Sequence, residues 1–553
     1  MRRLYPGDRA DDTVRIDTHD RRALSFGIGV LVVAVIYAVG LTREIQRPWN
    51  GLHEWNGALY SLFARNFLRY PWEIHHGMPL IAVGEAVPAE NERSIYPSHP
   101  AGLVWLVAAS FRVLGESEWA ARLVPIIASL GSVTLLMLLV RRRWGDDLAL
   151  VCGLVYSIFP MTVYFGRMVN HEPVCTFFML AAAWSWDHWT NPPRENFGRR
   201  WAIVVWIIAI IGGIWIDWAG ALYGGLFAVY IAWQAIRRRR HAHGGSQRPY
   251  LPTTTAALCV GAVTIASAGM LFHIVCGGFD GRWDDLARVF ASRASSAPDD
   301  WPDRAWTVTE GNFSLPGLFF GIAGLLFIVV ELIASRTGGR PATALGGFGV
   351  LFATGVVWLA LFWRQYQMHQ YWAFYLGPFA ALGCAVVIQR LTNSLGKVHR
   401  IAAGALRIVL LGVLVVFGIR GTQDYYNFRS RPSDDLAAWS EVRRMTSPDQ
   451  RILVFPDPLH HEDWGGTRVR YINPPQFPYY ADRPFDSEGN LDRVEARANS
   501  YPLYLVDMKG IGEGHVGLAA LCERFPCDRR GNILRVDFIQ TARPADGAPT
   551  SAK

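Results

Sequence analysis

Lysine is almost missing from this 553-residue chain: Lys397, Lys509 and Lys553 are the only three, so the net charge of +8 is carried by arginine. We attach no function to that skew. Charge of either sign is scarce, 18% of residues against the roughly one quarter of an ordinary soluble protein. The shortage excludes a conventional soluble domain, and a hydrophobic content of 51% excludes disorder. There is no Walker-type phosphate loop and no HExxH, which disfavours a cytosolic nucleotide user or a zinc hydrolase of that kind. Internal repeats and low-complexity segments are lacking too. Cysteine is sparse, and Cys152, Cys175, Cys259, Cys276 and Cys384 fall singly in apolar blocks, where they read as small buried thiols.

What is present is a series of apolar blocks, most of them about 17–25 residues long, the length needed to cross hydrocarbon. They fall at Leu24–Leu41, Glu118–Val140, Leu148–Phe165, Pro173–Trp186, Trp201–Ile216 and Ala219–Ile236, then at Thr253–Cys276, Ser314–Ile333, Ala344–Trp363, Tyr371–Ile388 and Ile401–Ile419. The expectation is a polytopic α-helical membrane protein of about eleven spans, counted from those blocks. Pro100–Gly115 is too short to cross comfortably and reads as a helix in the outer interface. That choice puts Arg141–Arg143, the Arg194/Arg199/Arg200 cluster, Arg237–Arg240, Arg336/Arg340 and Arg390/Lys397/Arg400 on one side. The loop Gly277–Phe313, with Asp280, Asp284, Asp285, Asp299, Asp300 and Asp303, falls on the other. The positive-inside rule then makes residues 1–23 a cytoplasmic tail, 24–420 the membrane domain with a first external loop over 42–117, and 421–553 external. The expected location is the inner or plasma membrane. Nucleic acid is not an expected partner, since the basic excess is an orientation signal.

The tail after Arg420 turns polar and Pro-rich. Arg451–Phe455, Pro502–Val506 and Ile533–Phe538 read as strands, Leu436–Met445 and Val516–Phe525 as helices, giving a small α/β domain with a flexible C-terminal end. Cys522 and Cys527 lie in it, on the oxidising side, as a candidate disulfide or as two unrelated thiols.

Unusual polar residues gather at the external ends of the blocks. The first loop holds His53, Glu54 and Asn56; a carboxylate just past a span can act as a general base, and a solvated juxtamembrane acid is the plainer alternative. His99 precedes the interfacial helix and could meet a phosphate there. Arg167, His171 and Glu172 lie between the third and fourth spans, where buried charge is costly, and an Arg167–Glu172 ion pair is the structural rival. Asp217 marks another outer turn. Arg364, His369 and Tyr371 mark the outer end of a later span, with phosphate donors in the first two, although Arg364 could equally snorkel. Together they describe an external pocket at the bilayer surface.

With Leu52–Tyr70, Ile95–Leu106, the stretch Gly115-Glu116-Ser117-Glu118-Trp119-Ala120-Ala121-Arg122-Leu123 and Tyr479-Tyr480-Ala481-Asp482-Arg483-Pro484, the sequence resembles the GT-C membrane glycosyltransferases. It is most similar to the family 39 branch, which holds protein O-mannosyltransferases and the lipid A aminoarabinose transferase. The family's Asp-Glu pair corresponds to His53-Glu54, so the resemblance passes the role of base to Glu54. Its Tyr-Phe-Glu-Lys-Pro-Pro stretch corresponds to Tyr96-Pro97-Ser98-His99-Pro100-Ala101, which puts Ser98 in place of an acid that would help hold a divalent metal ion. No cofactor is fixed by this, and a divalent metal remains a candidate. The implied reaction is inverting transfer of a sugar from a polyprenyl-phosphate donor to an acceptor hydroxyl on protein, lipid or glycan. His99, Arg167, Arg364, His369 and Tyr371 would attend the donor phosphate and lipid. A transporter or glycolipid flippase is the alternative, disfavoured because the polar residues collect at one face and not at the midplane. A membrane scaffold protein is a third reading.

Overall fold

The computed structural model describes residues 9–96, 98–191, 197–241, 253–278, 287, 290–291, 294, 299–337, 346–464, 467–509 and 516–538. The expected acids Asp280, Asp284 and Asp285, the arginines Arg194 and Arg340, and the C-terminal end after Phe538 lie outside them.

Helix α1 (Arg9–Thr42) leads into the first loop, which carries α2 (Trp55–Arg69), α3 (Trp72–His75) and a two-stranded ladder of β1 (Leu80–Ile81) and β2 (Ser94–Ile95). The interfacial segment is α4 (Gly102–Leu114), followed by α5 (Glu118–Trp144). Ser117 caps α5, its side chain accepting from the Ala120 amide at 3.3 Å. The expected single span Leu148–Phe165 is instead two helices, α6 (Asp146–Ile158) and α7 (Pro160–Phe165). The cause is local: Phe159 precedes proline and is extended, with φ −62° and ψ 134°.

Next come α8 (His171–Thr190), α9 (Phe197–Ile216), α10 (Trp218–His241) and α11 (Thr253–Gly278). Helices α12 (Trp301–Phe313) and α13 (Leu315–Thr337) meet at a bend of 89°. Between them Ser314 has φ +61°. Helix α14 (Gly346–Leu361) precedes a 3₁₀ segment, Gln370–Leu376, that runs into α15 (Gly377–Gly396), and α16 (Arg400–Asn427) closes the bundle. Helices α13 and α15 pack backbone to backbone where Gly324 faces Gly383; a Cβ on either would collide with its partner helix.

Every expected span coincides with a helix or helix pair, but not all are long and apolar enough to cross. Among the described residues six helices are, or seven if the bent pair α12–α13 forms one span; α4, α14 and Trp201–Ile216 are shorter apolar helices. Leu24, Ile408 and Ile419 are among many large apolar side chains left more than half exposed along α1 and α16, as a surface facing lipid requires. This is a membrane protein of helical type.

After α16 come α17 (Ser433–Met445), β3 (Ile452–Phe455), the hairpin β4 (Leu459–Trp464) and β5 (Thr467–Ile472), and α18 (Gln476–Ala481). Then follow β6 (Phe485–Ser487), α19 (Leu491–Arg497), β7 (Leu503–Asp507), α20 (Val516–Arg524), β8 (Cys527–Arg530) and β9 (Ile533–Asp537). Five strands form a mixed sheet in the order β6-β3-β7-β9-β8, parallel through β6, β3 and β7 and antiparallel at β9 and β8. Alternation along β3 and β7 divides the core. Ile452, Val454, Leu503 and Leu505 pack with Trp439 and Phe477 on one face; Leu453, Tyr504 and Val506 pack with Val494 and Leu521 on the other. Cys522 and Cys527 are joined as a disulfide between α20 and β8.

Candidate functional site

Glu54 is the N-cap residue of α2, where the helix end favours negative charge. Its carboxylate is almost fully buried and every contact is charged or polar. Arg122 and Arg167 donate to Oε1 at 2.8 and 2.9 Å, and the Gly51 amide donates to Oε2 at 2.9 Å. Burial alone would raise its pKa; Arg122, Arg167 and Arg47 outweigh that and hold the carboxyl below its usual range. Arg122 is itself locked, donating to the Ile45 and Arg47 carbonyls at 2.7 and 2.5 Å. Arg167 also donates to the Arg43 carbonyl.

Arg167 pairs with Glu54 and not with Glu172, the structural rival. Glu54, the expected base, is wrapped by arginines that hold it anionic.

His53 precedes Glu54 in the chain. It is held at φ +55°, a strained conformation for a residue with a Cβ. Its Nε2 accepts from the Gln370 side-chain amide at 3.0 Å, which requires a neutral ring with a lone pair at that nitrogen. Tyr371 meets the imidazole edge-on, centroids 5.3 Å apart, and Phe165 lies at 6.1 Å. Burial pushes the His53 pKa down from 6.5 to about 4.

A second cluster is built on Asp217. Its carboxylate accepts from the Trp218 amide at 2.8 Å and from the Tyr375 hydroxyl, and His99 Nδ1 lies 3.4 Å from it. His99 stacks on His171 at 4.2 Å, and Tyr60 meets His171 edge-on at 4.8 Å. The 3₁₀ segment Gln370–Leu376 serves both clusters, through Gln370 and Tyr371 toward His53 and through Tyr375 toward Asp217. His369 donates to or accepts from Tyr371 at 2.6 Å and stacks on Trp372 at 4.5 Å. Arg364 lies exposed, its guanidinium 5.2 Å over the ring of Trp363, which fits the snorkelling alternative better than a buried phosphate contact.

Several buried polar atoms at the start of α2 and α8 have no protein partner: Asn56 Nδ2, Asn170 Nδ2, Glu172 Oε2 and Thr176 Oγ1. Glu172 and Thr176 are one turn apart on the same side of α8. Unsatisfied buried groups are few in native proteins and ask for a ligand or water. Among the described residues no group of three or more His, Cys, Asp or Glu side chains is arranged to hold a metal ion, so the residues present do not make a metal site and no step is assigned to one.

Sequence reasoning missed Gln370 and Tyr375, which carry no charge, and the role of Arg122 as partner of Glu54. The signal for Arg122 was available: a lone arginine one turn inside an apolar helix.

The family model described as dolichyl-phosphate-mannose-protein mannosyltransferase matches residues 98–265. The crystal structure of ArnT from Cupriavidus metallidurans bound to undecaprenyl phosphate superposes with a TM-score of 0.59 at 15% identity, covering 93% of this chain and 98% of that one. The apo oligosaccharyltransferase of Archaeoglobus fulgidus gives a TM-score of 0.53 at 13% identity, over 89% and 71%. The fold is that of the GT-C membrane glycosyltransferases, as the sequence resemblance implied. Nearer in sequence, the undecaprenyl phosphate-alpha-4-amino-4-deoxy-L-arabinose arabinosyl transferase of Pseudomonas aeruginosa is 32% identical over 93 residues. That match spans 16% of this chain and 17% of the relative.

Proposed function

We propose that this chain is an inverting glycosyltransferase that moves a sugar from a polyprenyl-phosphate-linked donor to an acceptor hydroxyl at the external face of the membrane. The N-terminus is then cytoplasmic in the inner or plasma membrane, the roughly eleven apolar blocks each cross while α4 stays in the outer interface, and the sheet domain stands outside. The observation that carries the reading is the set of unpartnered, buried polar atoms on Asn56, Asn170 and Glu172, beside a neutral histidine and a caged carboxylate. A polyhydroxylated sugar supplies the missing donors and acceptors. ArnT, whose fold this chain shares, is seen with undecaprenyl phosphate, and a lipid-phosphate donor makes a nucleotide-binding domain unnecessary.

In this reading the acceptor hydroxyl replaces the Gln370 amide at His53 Nε2. The hydroxyl proton passes to Nε2 while its oxygen attacks the anomeric carbon from the face opposite the phosphate. The bond from that carbon to the phosphate oxygen breaks, its electron pair leaving with the lipid phosphate. Glu54, held anionic by Arg122 and Arg167, fixes the loop that presents His53. His99 and His369, with Arg364 at the exposed rim, attend the departing phosphate. The acids Glu172 and Asp217, with His171 beside them, suit a donor sugar bearing an ammonium, the kind named for the Pseudomonas relative.

The test is transfer from labelled undecaprenyl-phosphate sugars, with and without an amino group, by wild type, His53→Ala and Glu54→Gln. Wild-type transfer lost in His53→Ala is expected; absence of transfer from every lipid donor would overturn the proposal in favour of a transporter.

A further inference from the structure

The strand of the first loop that precedes His53 and Glu54 is held from the far end of the chain. Trp49 is fully buried, and both its backbone groups bond to α18: its amide donates to the Tyr480 hydroxyl oxygen at 2.9 Å, and its carbonyl accepts from the Gln476 side chain at 3.1 Å. The same Tyr480 hydroxyl donates to Glu118 at 2.8 Å. Glu118 is in the first turn of α5, one turn before Arg122 and on its side of the helix. One phenol therefore ties the first loop to the helix that carries the main counter-ion of Glu54.

The Trp49 ring completes the link. The Arg122 guanidinium lies 4.2 Å from its centroid, and the opposite contact is Gly57, where any Cβ would collide with the indole. Next to the clamp, Asp482 fixes α18 to α2: it receives both Arg69 nitrogens at 2.8 Å, with Arg65 at 3.3 Å and Arg443 at 3.4 Å. Asp482 adopts φ +46° to do so. Burial would raise its pKa, but the hydrogen bonds from Arg69 and the charges of Arg65 and Arg443 hold it below the usual carboxylate range.

We propose that Tyr480 and Gln476 are positioning residues: they set the Trp49 strand, and through its indole the Arg122–Glu54 pair, so that His53 is presented to substrate in one orientation. This rests on the reading of His53 and Glu54 as the reacting edge.

Two measurements on the purified full-length chain in lipid nanodiscs test it. Hydrogen exchange of peptides covering residues 48–54 should quicken roughly fivefold in Tyr480→Phe, the loss of one modest hydrogen bond; unchanged exchange overturns the clamp whether or not a substrate is known. With an undecaprenyl-phosphate-linked sugar, kcat should fall about tenfold with KM for the donor unchanged, since orientation and not binding is lost. A Tyr480→Phe protein that melts lower but keeps wild-type kcat marks a purely structural tyrosine and overturns the proposal. Faster exchange and lower kcat in Tyr480→Phe alongside full activity in Glu54→Gln and His53→Ala would leave the clamp standing and sink the reading of the reacting edge.

Discussion

The Arg122 guanidinium reaches Glu54 Oε1 at 2.8 Å although neither side chain is accessible to solvent beyond 2%. An ion pair this deep is not a source of large net stability, because both charges were desolvated to make it, but losing one partner leaves the other stranded. Arg167 on the same oxygen makes the pair a triad, and Glu54 carries the only negative charge in it.

Removal of the counter-ion is therefore expected to be severe. Arg122→Met should lower stability by about 3–5 kcal/mol in a thermal melt of the detergent-solubilised protein. Glu54→Gln should cost less in that background than in wild type, because it then strands one buried guanidinium, Arg167, instead of two, and a strictly additive double mutant would contradict the pairing.

Acid should weaken the protein in a defined window. With a folded pKa of about 4 against 6.5, His53 is neutral in the folded state where the unfolded chain already takes up a proton. Its contribution is complete above pH 6.5, is lost as the pH falls from there to about 4, and changes no further below. Glu54 and Asp482 have lowered pKa values, so their share persists above the ordinary carboxylate range and disappears only at more acidic pH. Melting temperature followed against pH should decline in that upper window for wild type, and less steeply there for His53→Gln.

Glu172 should show the opposite trade. Its Oε2 is buried and unpartnered and its neighbour Asp217 is also an acid, so Glu172→Gln should melt higher, by about 1 kcal/mol, in the ligand-free state. The same substitution should reduce sugar transfer. A variant both less stable and fully active would place Glu172 in a structural role.

The disulfide gives a test of sidedness. In intact cells an impermeant maleimide should label neither Cys522 nor Cys527 before external reduction and both afterwards. Labelling of both without reduction would mean the thiols are free.

What the sequence made legible was local. The short apolar helix at Pro100–Gly115 and the strands read at Arg451–Phe455, Pro502–Val506 and Ile533–Phe538, observed at Ile452–Phe455, Leu503–Asp507 and Ile533–Asp537, follow from short-range pattern. The α6–α7 break was written in Pro160 but vanishes when hydropathy is averaged over a window. The pairing of Arg167 was not readable, because Glu172 is five residues away and Glu54 is 113 away. Proximity in sequence favoured Glu172; the fold brings Arg167 to Glu54. Tyr479–Pro484 stood out only as a resemblance, since nothing local hints that its tyrosine reaches Trp49 and Glu118.

The bond between Trp49 and Tyr480 spans 431 positions of the chain. During synthesis the first loop, with His53 and Glu54, is made long before α18 exists. A nascent or truncated polypeptide would thus possess every candidate reacting group and still lack the last element that sets them. Under the proposed function, assembly order would be a safeguard: a half-made chain would sit among lipid-linked sugars without consuming them, and competence would arrive only with the docking of α18.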